Sequence, residues 1–400
     1  MGQAGYITPA NAYSPAVYDA RARALGRTEI LNNNGPASAG GNPALMAYIT
    51  RPAIQLSGRM MYGFIDHDSE YYSNYDASAP LHLKFTNIAA VYPVSWNSSF
   101  LPPLNFTAGI AYNTYFDYGM NYNTEYTDIY EQYTTKSVSE THGGVHTISP
   151  AIAFNVGEKI HFGLAFHKTL FSVTDYKIDY DYEGLPEGYI GYDYREYEQD
   201  ISAHFVAFGQ VVDLTPRLQI GWIYRSEFRM KFIDGDSYTR YSNGAENEYE
   251  IIDSDIYIPA YTGIGVNYRL KPELLLSMEY QTRPFGGINY FNELYNLDSF
   301  WDKQYSGSCW RAGAELDKVI KWRMGLFADK IFAYDAEDNL PQWQYGAAIG
   351  GGLKYLGAEI DVFGEVSTWQ ADYNYDYYDD VDNIYKETFF LGGASLKYQF

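Results

Sequence analysis

Hydrophobic and polar residues alternate along most of the chain beyond about residue 47. Successive side chains of a β-strand point to opposite faces, so each alternating segment carries one apolar and one polar face. Leu218, Ile220, Trp222, Tyr224, Phe228, Met230 and Phe232 share one parity, opposite Gln219, Arg225, Glu227, Arg229 and Lys231. Leu276 and Met278 oppose Ser277, Glu279, Gln281 and Arg283; Trp310 and Ala312 oppose Arg311 and Glu315. Trp322, Met324 and Leu326 oppose Arg323 and Asp329, and Ile360, Val362 and Val366 oppose Glu359, Asp361 and Glu365. The segment from Leu218 runs well past the usual 5–6 residues, toward the length that crosses a bilayer at a tilt.

About fourteen such segments are expected, an even number as in closed single-chain barrels: 48–65, 81–94, 104–122, 144–156, 159–176, 199–213, 217–233, 257–269, 273–284, 307–316, 320–333, 342–355, 358–371 and 387–400. The connections alternate in length. Tight turns such as Asn155-Val156-Gly157-Glu158 and Asp213-Leu214-Thr215-Pro216 alternate with long, acidic, Tyr-rich segments such as 123–143, 177–198 and 234–256. That asymmetry predicts short periplasmic turns, long extracellular loops and both termini on the periplasmic side. The fold class expected is all-β: a transmembrane antiparallel β-barrel over 48–400, with residues 1–47 as a separate N-terminal segment.

Composition narrows the choice. The 400 residues carry 28 Lys+Arg against 50 Asp+Glu, a net charge of −22, which argues against nucleic acid as a partner because a phosphate backbone must be met by cations. Aromatics make up 18% of the chain, too many for a disordered acidic protein. Mean hydropathy is −0.35 and no apolar run approaches the ~20 residues of a spanning helix, so a helical membrane bundle is excluded. A single cysteine, Cys309, leaves no intrachain disulfide and no cysteine-based zinc site, and is expected to be a buried, inert thiol. The chain is read as a mature form whose export signal is already gone, since a barrel must first cross the inner membrane. The localisation expected is the bacterial outer membrane, with its lipid and lipopolysaccharide as surroundings.

The first 47 residues do not alternate. An Ala-rich stretch with Arg21, Arg23 and Arg27 predicts at most two helical turns, and Asn32-Asn33-Asn34-Gly35-Pro36 and Gly40-Gly41-Asn42-Pro43 predict turns. The arginines complement the carboxylates of the barrel's polar face, so this segment is expected to fold as a plug inside the lumen.

Inward cations are the candidate ligand contacts: Arg225, Arg229, Lys231, Arg283, Arg311 and Arg323. An amphiphile's carboxylate entering an apolar lumen needs such a partner. The same residues suit a wall of ion pairs with Glu227, Glu279, Glu315, Asp329, Glu359, Asp361 and Glu365 and with the N-terminal arginines, the default for a polar barrel interior, and the ligand reading stands beside it. The acidic loops carry carboxylates suited to divalent ions or to lipopolysaccharide bridging, but no EF-hand spacing, so no metal is assigned. The seven histidines stand in no Ser or Asp motif; no enzyme activity and no cofactor are expected.

The ending Leu396-Lys397-Tyr398-Gln399-Phe400 closes an alternating strand on an aromatic residue and looks like the final-strand signal read by the barrel-assembly machinery. Ala24-Leu25-Gly26-Arg27 followed by Asn42-Pro43-Ala44 resembles the hatch of the long-chain fatty acid transporter (FadL/TodX) superfamily. Ile258-Pro259 with Gly263-Ile264-Gly265-Val266-Asn267-Tyr268, and Ser149-Pro150-Ala151 with Phe162-Gly163-Leu164, are similar to its strand pairs. The resemblance implies a fourteen-stranded barrel, a hatch, passage of a fatty-acid-like ligand and sideways release through a break in the wall. Pro150 and Pro259, which lack the N–H of a ladder, are the candidates for that break. The superfamily also contains PorV-like secretion components, so the alternative expectation is a scaffold whose loops dock a secreted or surface protein.

Overall fold

The computed structural model describes residues 17–33, 35–69, 72–96, 104–128, 133–184, 190–251, 253–283, 289–292, 307–334, 341–372 and 383–400. Fourteen antiparallel strands close into a barrel, preceded by a short helical segment. They are β1 (Ala53–Ser69), β2 (Tyr72–Trp96), β3 (Leu104–Asp117, continued as Met120–Asp128), β4 (Thr134–Val156), β5 (Ile160–Thr169, continued as Val173–Glu183), β6 (Tyr192–Ser202, continued as His204–Thr215) and β7 (Leu218–Arg225, continued as Phe228–Tyr241). The second half comprises β8 (Ser254–Ile258, continued as Tyr261–Lys271), β9 (Leu274–Arg283), β10 (Gly307–Leu316), β11 (Lys321–Tyr334), β12 (Pro341–Tyr355), β13 (Ala358–Asp372) and β14 (Asn383–Gln399). β14 pairs with β1 from Ala53↔Gln399 to Ser69↔Asn383, which closes the cylinder and removes the free edges an open sheet would carry.

The alternation reads onto the wall as expected. Leu276, Met278, Trp310, Trp322, Met324 and Leu326 are exposed on the outside, while Glu279, Arg311, Glu315, Arg323 and Asp329 are buried within. An outer surface this apolar is matched by hydrocarbon rather than water. Leu396, Tyr398 and Phe400 lie on the same outer face, and the Phe400 N–H donates to the Pro52 carbonyl at 3.0 Å, so the chain end and the entry to β1 meet at the short-turn rim.

The segments expected as long loops are largely strand. β2 has 25 residues and β4 has 23. At ~3.3 Å per residue and a tilt near 40°, such strands rise roughly 60 Å, more than twice the ~25 Å apolar band. The ladder runs on through Tyr, Thr, Ser and acidic residues, for example Lys136↔Asp181 and Tyr238↔Glu196, where water wets both faces. With polar residues on both faces the hydrophobic period vanishes although the hydrogen bonding continues.

Within the N-terminal segment, residues 17–33 and 35–48 pack against the inner face of the wall. A helix, α1 (Ala20–Ala24), is capped by Asp19, whose carboxylate accepts from the Arg21 and Ala22 N–H groups at 2.8 and 3.2 Å. Two 3-10 turns follow, Pro36–Ala39 and Pro43–Tyr48. This segment is seated where the wall has no side chains. Gly313 and Gly325 are cross-strand partners, and a Cβ on either would fall within 2.5 Å of the Leu25–Gly26 backbone. Gly163 and Gly209 likewise pair and leave room for Asn42-Pro43-Ala44. Gly26 has φ +70°, a conformation that glycine adopts without strain.

Ion pairs add to this fit. Arg21 donates to Glu315 at 2.8 and 3.0 Å, and Arg27 donates to Glu365 at 2.7 Å and to Asp329 at 3.1 Å. Arg23 donates to Glu365 at 3.3 Å. The exit from the segment is tied to the short-turn rim, where Tyr48 donates to Asp213 at 3.0 Å beside His161.

Candidate functional site: an apolar lumen patch over a buried arginine

β7 carries the feature that shapes the interior. Its ladder stops at Ser226 and Glu227, opposite the stop at Pro259 and Ala260 in β8, yet the register resumes unchanged, Arg225↔Tyr261 before and Phe228↔Ile258 after. Three residues therefore separate two inward positions, and the faces exchange. Arg225 points inward, and so do Phe228, Met230 and Phe232. Arg229 and Lys231 point outward, Arg229 with its side chain 70% exposed and 3.4 Å from Asp255. The expectation that Arg229 and Lys231 line the lumen is thus corrected, as is that for Glu227, which accepts from Tyr257 on the exposed side. Proline at 259 has no N–H to continue the ladder, which is the physical reason for the exchange.

The inverted stretch faces a second irregularity. β3 bulges at Tyr115, and Tyr115, Phe116 and Tyr118 come to lie in the interior against Phe205, Phe228 and Met230. Phe205 and Phe228 stack at 4.6 Å, and His167 stacks on Phe205 at 4.4 Å. His167 Nδ1 shares a hydrogen with Ser149 at 2.8 Å.

Arg225 lies at the lower edge of this patch, 1% exposed, with its guanidinium 5.0 Å from the Tyr261 ring and 5.7 Å from the Tyr115 ring. Among the described residues none of its nitrogens has a hydrogen-bond partner. Its nearest countercharge, Glu29 of the N-terminal segment, stands 3.8 Å away. The Tyr18 hydroxyl is buried nearby and also lacks a partner among the described residues; burial raises its pKa well above the usual phenol value, so it stays a neutral donor.

The other inward cations are consumed by the wall. Arg311 donates to Asp329 at 3.0 and 3.1 Å and to Glu279 at 3.3 Å; Arg323 donates to Glu315 and Asp361, each at 2.6 Å. The Arg283 side chain lies outside the described residues, though its backbone ends β9. Cys309 is buried on the inner face.

The ladder between β2 and β3 is broken beside the patch. Pairing runs to Asn87↔Asn113 from the short-turn side and restarts at Ser78↔Asn123, so residues 79–86 and 114–122 form no ladder pairs with each other, although each stretch stays paired to its other neighbour, β1 or β4. β2 bulges twice along this stretch, which turns Leu81 and Leu83 outward at 69% and 81% exposure and turns Lys84 inward. Asp117 sits in the opening, paired with both Lys84 and Arg59. Among the described residues no group of three His, Cys, Asp or Glu side chains is placed to hold a metal ion.

A family model, outer membrane protein transport protein (OMPP1/FadL/TodX), matches residues 6–304. The chain belongs to this family. Its members are transporters rather than enzymes, which places the barrel in the outer membrane, surrounded by its lipid and lipopolysaccharide. A crystal structure of a Pseudomonas aeruginosa FadL homologue superposes with TM-score 0.65 at 13% identity, covering 96% of this chain and 99% of that one. The Pseudomonas putida toluene transporter TodX gives 0.58 at 13% identity over 96% and 98%, and the Ralstonia pickettii toluene transporter TbuX gives 0.54 at 13% over 97% and 100%. No curated protein matches.

Against this family background the proline positions separate. Pro259 marks the β7–β8 interruption, whereas Pro150 stays inside β4, in register with Ile110, while β4 skips one stretch of pairing with β5. Among the described residues the widest break in the wall, between β2 and β3, lies at neither. The Leu25-Gly26-Arg27 and Asn42-Pro43-Ala44 motifs both rest in glycine sockets, and Asn42 donates to the Ile30 carbonyl at 2.8 Å. Sequence reasoning missed Tyr115, Phe116, Phe205, His167 and Glu29. The signal available was the unbroken run Tyr115-Phe116-Asp117-Tyr118-Gly119, which cannot alternate.

Proposed function

We propose that this barrel carries an anionic, long-chain amphiphile of fatty-acid type from outside to the membrane interior. Both termini face the periplasm, residues 1–47 act as the hatch, and the carboxylate of the cargo docks on Arg225. The observation that supports this most strongly is the pairing of an apolar lumen patch with a buried arginine that lacks hydrogen-bonded partners among the described residues. A carboxylate placed there gains two charge-assisted bonds, each contributing about 1.5–3 kcal/mol, while its chain lies on Phe205, Phe228 and Met230. The wall opening between β2 and β3 adjoins the same patch, since the Tyr118 hydroxyl reaches Met230 Sδ at 3.5 Å, and it offers a sideways exit toward Leu81 and Leu83.

In this account the hatch blocks straight passage through the lumen, and Asp117 with Lys84 and Arg59 closes the side opening until cargo arrives. Uptake of radiolabelled oleate by a Gram-negative strain lacking its own transporter, complemented with this chain, tests the reading. Uptake well above the empty strain is expected, falling about 100-fold or more with Arg225→Met, as loss of two bonds of about 1.5–3 kcal/mol each implies. Uptake no greater than that of the empty strain would sink it. A docking role for the tall extracellular wall predicts instead a protein recovered in equal amounts with the barrel from native membranes.

A further inference from the structure

Residues 1–47 contain only two acidic side chains, Asp19 and Glu29. Asp19 is accounted for: it caps α1, and its second oxygen accepts from Gln55 at 2.8 Å. Glu29 has no such structural task. It is 1% exposed, and one of its oxygens, Oε2, has no hydrogen-bond partner among the described residues. Its other oxygen, Oε1, accepts only a long 3.4 Å bond from Gln281 and stands 3.8 Å from Arg225.

The wall of the same barrel shows what a buried pair joined by short hydrogen bonds looks like. Arg323, 0% exposed, bonds Glu315 and Asp361 at 2.6 Å. The Glu29–Arg225 contact is a buried ion pair without a hydrogen bond, in which both ions have lost water and neither has recovered the full geometry. Such a pair yields to a carboxylate able to reach the guanidinium at bonding distance. Glu29 also lies beside Glu279: the Gln281 amide donates to both, and Glu279 accepts from the Ile30 N–H at 2.8 Å. Once Arg225 is taken by another anion, the repulsion from Glu279 is no longer balanced.

We infer that Glu29 is an internal stand-in for the cargo head group: it occupies the seat at Arg225 in the empty transporter, an incoming carboxylate displaces it, and that exchange loosens residues 28–32 of the hatch. This rests on the assignment of Arg225 as the carboxylate seat. A neutral hydrocarbon fills the apolar patch without displacing Glu29, so cargo charge is reported to the hatch through this one side chain.

The test uses the full chain in lipid nanodiscs, with oleate and oleyl alcohol as probes. Glu29→Gln removes the competitor, and oleate affinity is expected to rise about tenfold, as for a seat freed from a state that held it roughly nine-tenths of the time. Oleyl alcohol affinity is expected to stay the same. Hydrogen exchange of residues 28–32 in the unaltered protein is expected to quicken with oleate and not with oleyl alcohol, which needs no variant to fold. If Glu29→Gln leaves oleate affinity unchanged or weakens it, or if oleate leaves the exchange of 28–32 untouched, the inference is overturned. Should oleate bind, and bind more weakly to Arg225→Gln, the transport reading survives that failure; should oleate not bind at all, the transport reading fails as well.

Discussion

Glu365→Gln isolates the electrostatic part of hatch docking. The Glu365 side chain is fully buried and accepts from Arg23 at 3.3 Å and from Arg27 at 2.7 and 3.2 Å. In the variant, Arg27 keeps Asp329 at 3.1 Å, Gln344 at 3.0 Å and the face of Phe327 at 3.8 Å. Arg23 keeps the Val17 carbonyl at 3.0 Å and a distant Phe363 ring at 5.6 Å. One buried guanidinium therefore loses its countercharge, a change that costs about 3–5 kcal/mol. At 1.4 kcal/mol per tenfold, hatch opening becomes roughly 100- to 5,000-fold more frequent. The barrel keeps its ladders, so its heat-modified mobility on gels stays that of a folded barrel. Hydrogen exchange of residues 20–26, corrected for intrinsic rates, reads the opening directly.

Exchange at 20–26 that matches the unaltered protein within threefold would refute the assignment of these pairs to hatch docking.

Two further outcomes follow from the wall. Met324→Arg places a charge on the lipid-facing surface of β11, where Met324 is 64% exposed, and should lower barrel stability by about 2–4 kcal/mol in guanidine-driven unfolding from liposomes; an unchanged midpoint would contradict its position against lipid. Arg229→Gln with Lys231→Gln should leave oleate uptake within twofold of the unaltered protein, because both side chains leave the lumen; a loss as large as that of Arg225→Met would restore them to the ligand path.

The barrel was legible because lipid and lumen impose opposite polarity on successive residues, and β10 follows that rule closely: Gly307–Leu316 appears with the very bounds that the alternation predicts. Extension of the wall above the membrane was not legible, since polar residues on both faces of residues 134–144, Thr134, Lys136, Glu140 and His142 on one and Thr135, Ser137, Ser139 and Thr141 on the other, leave no period to read. The site was only partly legible. Arg225 was recognisable as an inward cation, but Arg229 and Lys231 were misassigned because parity was carried across Ser226, where the apolar series is interrupted by a polar residue opposite Pro259. The patch itself is built from bulges at Tyr115 and at Ser226–Glu227, and no local pattern says that two bulges on strands a hundred residues apart will face each other. Glu29 carries no motif; only its burial beside Arg225 distinguishes it.

The most direct measurement is photolabelling of the nanodisc-embedded protein with a fatty acid bearing a diazirine near mid-chain, followed by peptide mapping. Labels on Tyr115, Phe116, Phe205, Phe228 and Met230, lost when excess oleate competes, are the predicted result. Labels confined to Leu276, Met324 and Leu326 on the outer band, unaffected by competitor, would show that the amphiphile meets this barrel only as surrounding lipid.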